Sequence, residues 1–205
     1  MMKISLEDHQ PISFLLVGVG GQGTILASDI LAEAGLKLGY DVKKAEVHGM
    51  SQRGGSVVSN LRWAKQVFSP IVAKGSADIL IAFEKLEAVR HREFLRKEGI
   101  VLVNDYAILP VTVSSGDAHY PDDTQIRDSF AGLAGELCWV NGLALAEGLG
   151  NARTANVVII GALTALLDLP VDCLLESVEA RVPEKYLEIN RSAFRAGMEA
   201  VLADV

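Results

Sequence analysis

Phe14-Leu-Leu-Val-Gly-Val-Gly-Gly-Gln-Gly23 joins a short apolar run to a cluster of glycines. The run from Ile12 to Val17 has little polar alternation, so it reads as a strand buried on both faces. Gly18, Gly20 and Gly23 then fit G-x-G-x-x-G, with Gly21 as an additional glycine. From Thr24 to Leu38, Ile25, Ile30, Leu31, Leu36 and Leu38 recur at helical spacing. A strand, a glycine turn and a helix in that order aim backbone N–H groups and the positive end of a helix dipole at an anion. The same residues also serve a plain tight turn, where glycine permits positive φ and close packing of helix on strand. A dinucleotide site further requires an acidic residue at the end of the next strand, and Glu46 stands where one would be sought.

Outward from this turn, alternating strands and helices continue. Asp41–Val47 and Val57–Trp63 read as strands, the second half-exposed and followed by a hairpin return through Gln66–Phe68 that would make the sheet mixed. Ala77–Phe83 and Ile100–Asn104 read as buried strands, with a surface helix over Glu84–Lys97 stopped by Gly99. Leu109–Val113 carries Pro110 and reads as an edge segment. Asp122 or Asp123 caps a helix start, and Glu136–Val140 is a last short strand. Helices follow over Leu143–Leu149, Ala152–Leu167, Val171–Arg181 and from Glu184 to the end, the last opened by Pro183. The expected fold is α/β: three α/β/α layers around a Rossmann-like mixed, mostly parallel sheet, with a helical C-terminal third. With no repeat or linker, residues 1–205 read as a single domain.

The net charge of −7, with no Lys/Arg run longer than a pair, argues against a nucleic-acid partner. The longest uncharged segment, Thr154–Leu167, is shorter than the ~20 residues that span a bilayer. Met1–Gln10 has no apolar signal-peptide core, so a cytoplasmic protein is expected. Cys138 and Cys173 read as small apolar residues, and two cysteines cannot hold an iron–sulfur cluster. The four histidines show no zinc-site spacing, and His48 reads as a surface histidine. No catalytic residue and no metal ligand is therefore assigned.

The loop His48-Gly-Met-Ser-Gln-Arg-Gly-Gly55 is polar and unusually rich in glycine for a plain connection. Arg53, among small neighbours, can reach a carboxylate or phosphate bidentately, or it can tie the loop to Glu46 or Asp105. Asn156 and Asn190, within apolar helices, read as buried amides that hold structure together.

Gly18-x-Gly-Gly-Gln-Gly23, Ser51-Gln-Arg-Gly-Gly55, Asn156-Val-Val-Ile-Ile-Gly-Ala162, Glu188-Ile-Asn190 and Ala193-Phe-x-x-Gly197 occur in that order. The set resembles the gamma-type subunit of 2-oxoacid:ferredoxin oxidoreductases, and within them the small-subunit group of the indolepyruvate enzymes. The resemblance spans about Ile12 to Gly197. It implies an accessory subunit of a complex that oxidatively decarboxylates a 2-oxoacid, with indolepyruvate or another aryl pyruvate favoured. In such a complex the acyl group passes to coenzyme A and electrons pass through iron–sulfur clusters to ferredoxin. This chain lacks the Gly-Asp-Gly…Asn pattern of a thiamine diphosphate site, since Gly116-Asp117-Ala118 has no closing glycine. The thiamine diphosphate and the clusters are thus expected on larger partner subunits, with no cofactor bound by this chain alone. The residues expected to face a ligand or cofactor are Gly18, Gly20, Gly21, Gln22 and Gly23 of the turn, with Ser51, Gln52, Arg53, Gly54 and Gly55 of the loop. Self-association of the isolated chain is also expected, given its high apolar share. The alternative is a stand-alone dinucleotide-binding oxidoreductase using the G-x-G-x-x-G turn.

Overall fold

The computed structural model describes residues 10–48 and 55–203. Strand β1 (Ile12–Val19) is buried along its whole length, as an uninterrupted apolar run requires. Its alternate side chains feed two cores. Phe14 and Leu16 join one, Leu15 and Val17 the other, so the strand lies at the centre of a sheet covered on both faces. Strands β2 (Asp41–His48), β3 (Ser56–Ala64), β4 (Ala77–Ala82), β5 (Leu95–Asn104) and β6 (Ala134–Val140) complete six strands in the order β2-β3-β1-β4-β5-β6.

The β1-β4-β5-β6 run is parallel, whereas β3 is antiparallel to both β1 and β2. The sheet is therefore mixed, but not through the expected hairpin: residues 66–68 form no strand. Instead β3 turns back between β1 and β2, and its eight-residue register with each keeps Leu61 and Trp63 on the larger core. Because β1 and β2 both oppose β3, they point the same way. The carboxyl ends of β1, β2, β4, β5 and β6 thus share one edge.

Helix α1 (Thr24–Lys37) packs on the larger core, with Gly35 leaving room for the Trp63 ring. Two sequence expectations fail on the other side. The helix read over Glu84–Lys97 is only α2 (Lys85–Arg90) plus a 3-10 turn at Arg92–Phe94. The chain enters β5 at Leu95, and Gly99 lies inside that strand at a register shift. Charged residues at Arg96, Lys97 and Glu98 belong to the strand's exposed start and mimic a helix surface. The Leu109–Val113 segment is not an edge strand; Pro110 precedes a one-turn helix, α3 (Val111–Ser114). Proline fits there because a helix's first turn needs no donor from it.

Helix α4 (Asp123–Asp128) begins with a full capping box between Asp122 and Gln125. The C-terminal third is helical as read: α5 (Gly142–Gly148), α6 (Ala155–Leu166), α7 (Val171–Glu179) and α8 (Leu187–Leu202). Helix α6 is buried almost throughout and meets α8 through Gly161 and Gly197, where the two backbones touch. The arrangement is α/β, with helices on both faces of a mostly parallel sheet. No helix among the described residues is long and apolar enough to cross a membrane.

Candidate functional site: the glycine-turn cleft

The glycine turn sits at the carboxyl end of β1, and Gly18, Gly21 and Gly23 serve it for different reasons. A Cβ on Gly18 would lie 2.6 Å from Thr24 Oγ1 and 3.1 Å from Phe83 Cβ, so Gly18 serves close approach. Gly21 and Gly23 have φ of 106° and 78°, in the left-handed region that glycine adopts without strain. Gly23 precedes α1, which no side chain caps and whose first turn carries no acidic residue. The first-turn amides of α1, lacking intrahelical acceptors, leave its positive end uncompensated.

Gln22 holds the turn in shape. Its Oε1 accepts from the Val19 amide at 2.7 Å, and its Nε2 donates to the Phe83 carbonyl at 2.7 Å. The same carbonyl accepts from Asn104 Nδ2 at 3.1 Å, and Asn104 Oδ1 accepts from the Gly142 amide at 2.9 Å. One chain of hydrogen bonds therefore fixes the ends of β1, β4 and β5 and the start of α5 relative to one another. Asn156 extends it, donating to the Gly23 carbonyl at 3.4 Å, while Asn190 donates to the Tyr186 carbonyl. Both are the structural amides that their settings in the sequence indicate.

These elements enclose a cleft of about 620 Å³. Gly20, Gly21, Gln22 and Gly23 line it together with Phe83, Asn104, Tyr106 and Ile108. Arg153 and Asn156 line its helical side, and Arg153 also borders a smaller neighbouring hollow of about 290 Å³. Arg153 is exposed and its guanidinium has no ion-pair partner among the described residues. The cleft thus combines an uncapped helix start, one free cation and apolar walls, which suits a carboxylate or phosphate attached to a larger apolar group. Arg153, Tyr106 and Asn104 do not figure in the sequence reading. An arginine ahead of a helix is common, and only the fold brings it to the same cleft as the turn.

Of the loop, Ser51, Gln52, Arg53 and Gly54 lie outside the described residues. Gly55 is described, and it meets the glycine turn: its carbonyl accepts from the Gly20 amide at 2.8 Å. Next to it, Ser56 Oγ donates to the buried carboxylate of Glu87 at 2.5 Å. The loop therefore leaves and rejoins the sheet at the same edge as the cleft. The two acids considered as ties for Arg53 already carry lysine partners: Lys44 lies 2.5 Å from Glu46, and Lys85 lies 3.0 Å from Asp105.

The wall formed by residues 105–120 is secured from beneath. Glu84, 1% exposed, caps α2 through the Glu87 amide and accepts from the Ile108 amide at 3.0 Å and from Tyr120 Oη at 2.5 Å. Burial, and then the bond to Glu84, hold the Tyr120 hydroxyl well above its usual ionisation range. The cysteines sit half-buried, and burial pushes the Cys173 thiol up, which keeps it protonated and unreactive.

The dinucleotide alternative loses its geometry here. In that architecture the acidic residue lies on the strand beside β1, but antiparallel β3 occupies that place. Glu46 is one strand further out, on the sheet's edge, and bound to Lys44.

An open α/β sheet with a cleft at its carboxyl edge is the class that fold and site define. The family model described as pyruvate ferredoxin/flavodoxin oxidoreductase matches residues 13–200, and the chain belongs to that family. The indolepyruvate oxidoreductase subunit IorB of Pyrococcus horikoshii is 39% identical over 191 residues, covering 92% of this chain and 95% of the relative. Its counterpart from Thermococcus kodakarensis is 38% identical with the same coverage. The crystal structure of the keto/oxoacid ferredoxin oxidoreductase gamma subunit from Geobacter sulfurreducens superposes with a TM-score of 0.69 at 26% identity. That match covers 94% of this chain and 99% of the other.

Proposed function

We propose that this chain is the small, gamma-type subunit of a ferredoxin-dependent 2-oxoacid oxidoreductase, with indolepyruvate or a related aryl pyruvate as the substrate class. The observation that carries the reading is the near end-to-end likeness to indolepyruvate oxidoreductase subunits at 39% identity. The whole chain acts as one domain in a cytoplasmic complex. In that complex a 2-oxoacid loses carbon dioxide, its acyl group is transferred to the coenzyme A thiol, and two electrons leave for ferredoxin. Thiamine diphosphate and the iron–sulfur clusters, carried by larger partner chains, supply the carbanion chemistry and the electron path.

This chain's own part is binding and enclosure. The glycine turn from Gly18 to Gly23 lines the mouth through which coenzyme A or the 2-oxoacid enters, and Ser51, Gln52, Arg53, Gly54 and Gly55 are the further residues assigned to contact that ligand. Arg153 and the start of α1 attract the anionic end of that ligand, while Phe83, Tyr106 and Ile108 exclude water beside it. Arg53 supplies a second cation from the loop.

The test is reconstitution of the complex with Arg153→Ala. Surface substitutions away from packing change stability by less than ~0.5 kcal/mol, so the variant subunit should fold as well as the parent. Losing one charged contact at about 1.4 kcal/mol per decade should raise the Michaelis constant for coenzyme A or the 2-oxoacid about tenfold, with turnover little changed. Unchanged constants would remove the cleft from the proposal. Full coenzyme A-dependent activity of the larger subunits without this chain would remove the proposal itself.

A further inference from the structure

Two buried glutamates stand three residues apart where β4 passes into α2, and the binding role given to the cleft uses neither. Glu84 and Glu87 are each 1% exposed. Burying a carboxylate is costly unless hydrogen-bond donors replace the water it gives up. Here the donors lead to two different stretches of the cleft lining.

Glu84 reaches the wall segment. The Ile108 amide and Tyr120 Oη both donate to its Oε1, at 3.0 and 2.5 Å, while its Oε2 accepts from the Glu87 amide at 2.9 Å. The next two residues act on the same segment. The Lys85 amide donates to the Tyr106 carbonyl at 3.0 Å, and the Leu86 amide donates to Tyr120 Oη at 3.2 Å. Lys85 Nζ adds ion pairs to Asp105 and Asp123. One run of three residues therefore fastens both feet of the chain between β5 and α4, the stretch that brings Tyr106 and Ile108 to the cleft.

Glu87 reaches the glycine turn. Its Oε2 accepts from Ser56 Oγ at 2.5 Å, and its Oε1 accepts from Arg90 at 2.6 Å. Ser56 follows Gly55, whose carbonyl accepts from the Gly20 amide at 2.8 Å. Residues three apart share one turn of a helix, so the wall segment and the glycine turn are both tied to the same short piece of backbone.

We infer that Glu84 and Glu87 are positioning residues of the cleft: as a buried pair at the start of α2 they fix the Tyr106–Ile108 wall relative to the glycine turn. Through that spacing they set the affinity for a ligand that neither of them touches. The inference rests on the proposed function, which makes the cleft a ligand site. A pre-set opening receives its ligand without the entropic cost of ordering the walls, and loss of one bond restores that cost.

The experiment uses the reconstituted complex carrying Tyr120→Phe, Ser56→Ala or both, assayed with coenzyme A and with indolepyruvate. Each substitution deletes one hydroxyl bonded to one glutamate and leaves both acids in place. Each single variant should raise about threefold or more the Michaelis constant that Arg153→Ala raises, with turnover at saturation unchanged. Because the two bonds act through one frame, the double variant should fall short of the product of the single effects. Hydrogen exchange localises the cause: in Tyr120→Phe the Ile108 amide should lose protection while the β1 amides keep theirs. If Arg153→Ala raises a constant and neither hydroxyl variant does, the inference falls and the functional reading stands. If none of the three variants changes any constant, the cleft is no ligand site and both fall. Single effects that simply multiply in the double variant would make the acids independent struts and overturn the pair. Lower turnover at unchanged constants would place the brace outside ligand binding and overturn the inference as well.

Discussion

Gly21 and Gly23 share a left-handed backbone but not a neighbourhood. A Cβ on Gly21 would meet nothing within 4 Å, while one on Gly23 would lie 2.5 Å from Asn156 Nδ2. Alanine at either site must adopt a conformation costing roughly 1–2 kcal/mol. Only at position 23 must it also displace the amide that ties α6 to the turn, adding about 1–3 kcal/mol. Urea unfolding should therefore rank Gly23→Ala as clearly less stable than Gly21→Ala, and equal midpoints would show that Asn156 gives way freely. At this scale the sequence was informative about kind and silent about partner. The glycine cluster announces a turn at the end of a strand. That Gln22 braces the Phe83 carbonyl, 61 residues away, depends on the β1–β4 register and cannot be read locally. The place of Arg153 is hidden from a local reading for the same reason. Arg153 lies in the 3-10 turn just ahead of α6, which the fold brings to the same cleft as a turn more than a hundred residues earlier.

Elements with strong local patterns were legible, and those whose identity depends on neighbours were not. The buried runs of β1, β4 and β5 and the capped start of α4 follow from composition and spacing. Strand β3 was placed correctly by its alternation, but its two antiparallel partners were not, because alternation fixes a face and not a neighbour. Helix α6 raises a different matter, since its apolar surface says it is buried without saying how tightly. Cβ atoms built on Gly161 and Gly197 would lie 1.9 Å from carbonyl oxygens of Phe194 and Val158, so α6 and α8 cross with no side chain between them. Alanine at either glycine must push the helices apart, a cost of about 3 kcal/mol or more for backbone that cannot yield. Gly148, at the end of α5, has open space around it and an ordinary backbone, so Gly148→Ala should stabilise by about 0.4–1 kcal/mol. Thermal unfolding of the three variants should move in opposite directions. A stable Gly197→Ala protein would show that the crossing can relax.

For the whole molecule, the position of β3 determines which ligands the glycine turn can serve. Dinucleotide sites work because the strand beside β1 is parallel and ends in an acid that reaches the ribose, a short distance from the pyrophosphate on the helix start. Here the neighbouring strand runs the other way, and it brings Ser56 rather than its far end to the turn. Glu46 stands on the outer strand with Lys44 bound to it, and Lys44 is shared with Asp29 of α1. That charge cluster ties the sheet edge to α1 and takes up Glu46, the acid that would have been sought for a ribose. The turn keeps the uncapped helix start of such sites but not the neighbouring acid that makes a dinucleotide fit. Titration of the isolated chain with NADH, followed by nicotinamide fluorescence, should accordingly give no saturable binding in the micromolar range. Glu46→Ala should leave that result unchanged, and its effect should appear instead as a lower melting temperature from loss of the Lys44 cluster. Saturable micromolar binding that disappears in Glu46→Ala would mean that the outer strand can deliver its acid to the turn after all, and would restore the stand-alone oxidoreductase reading.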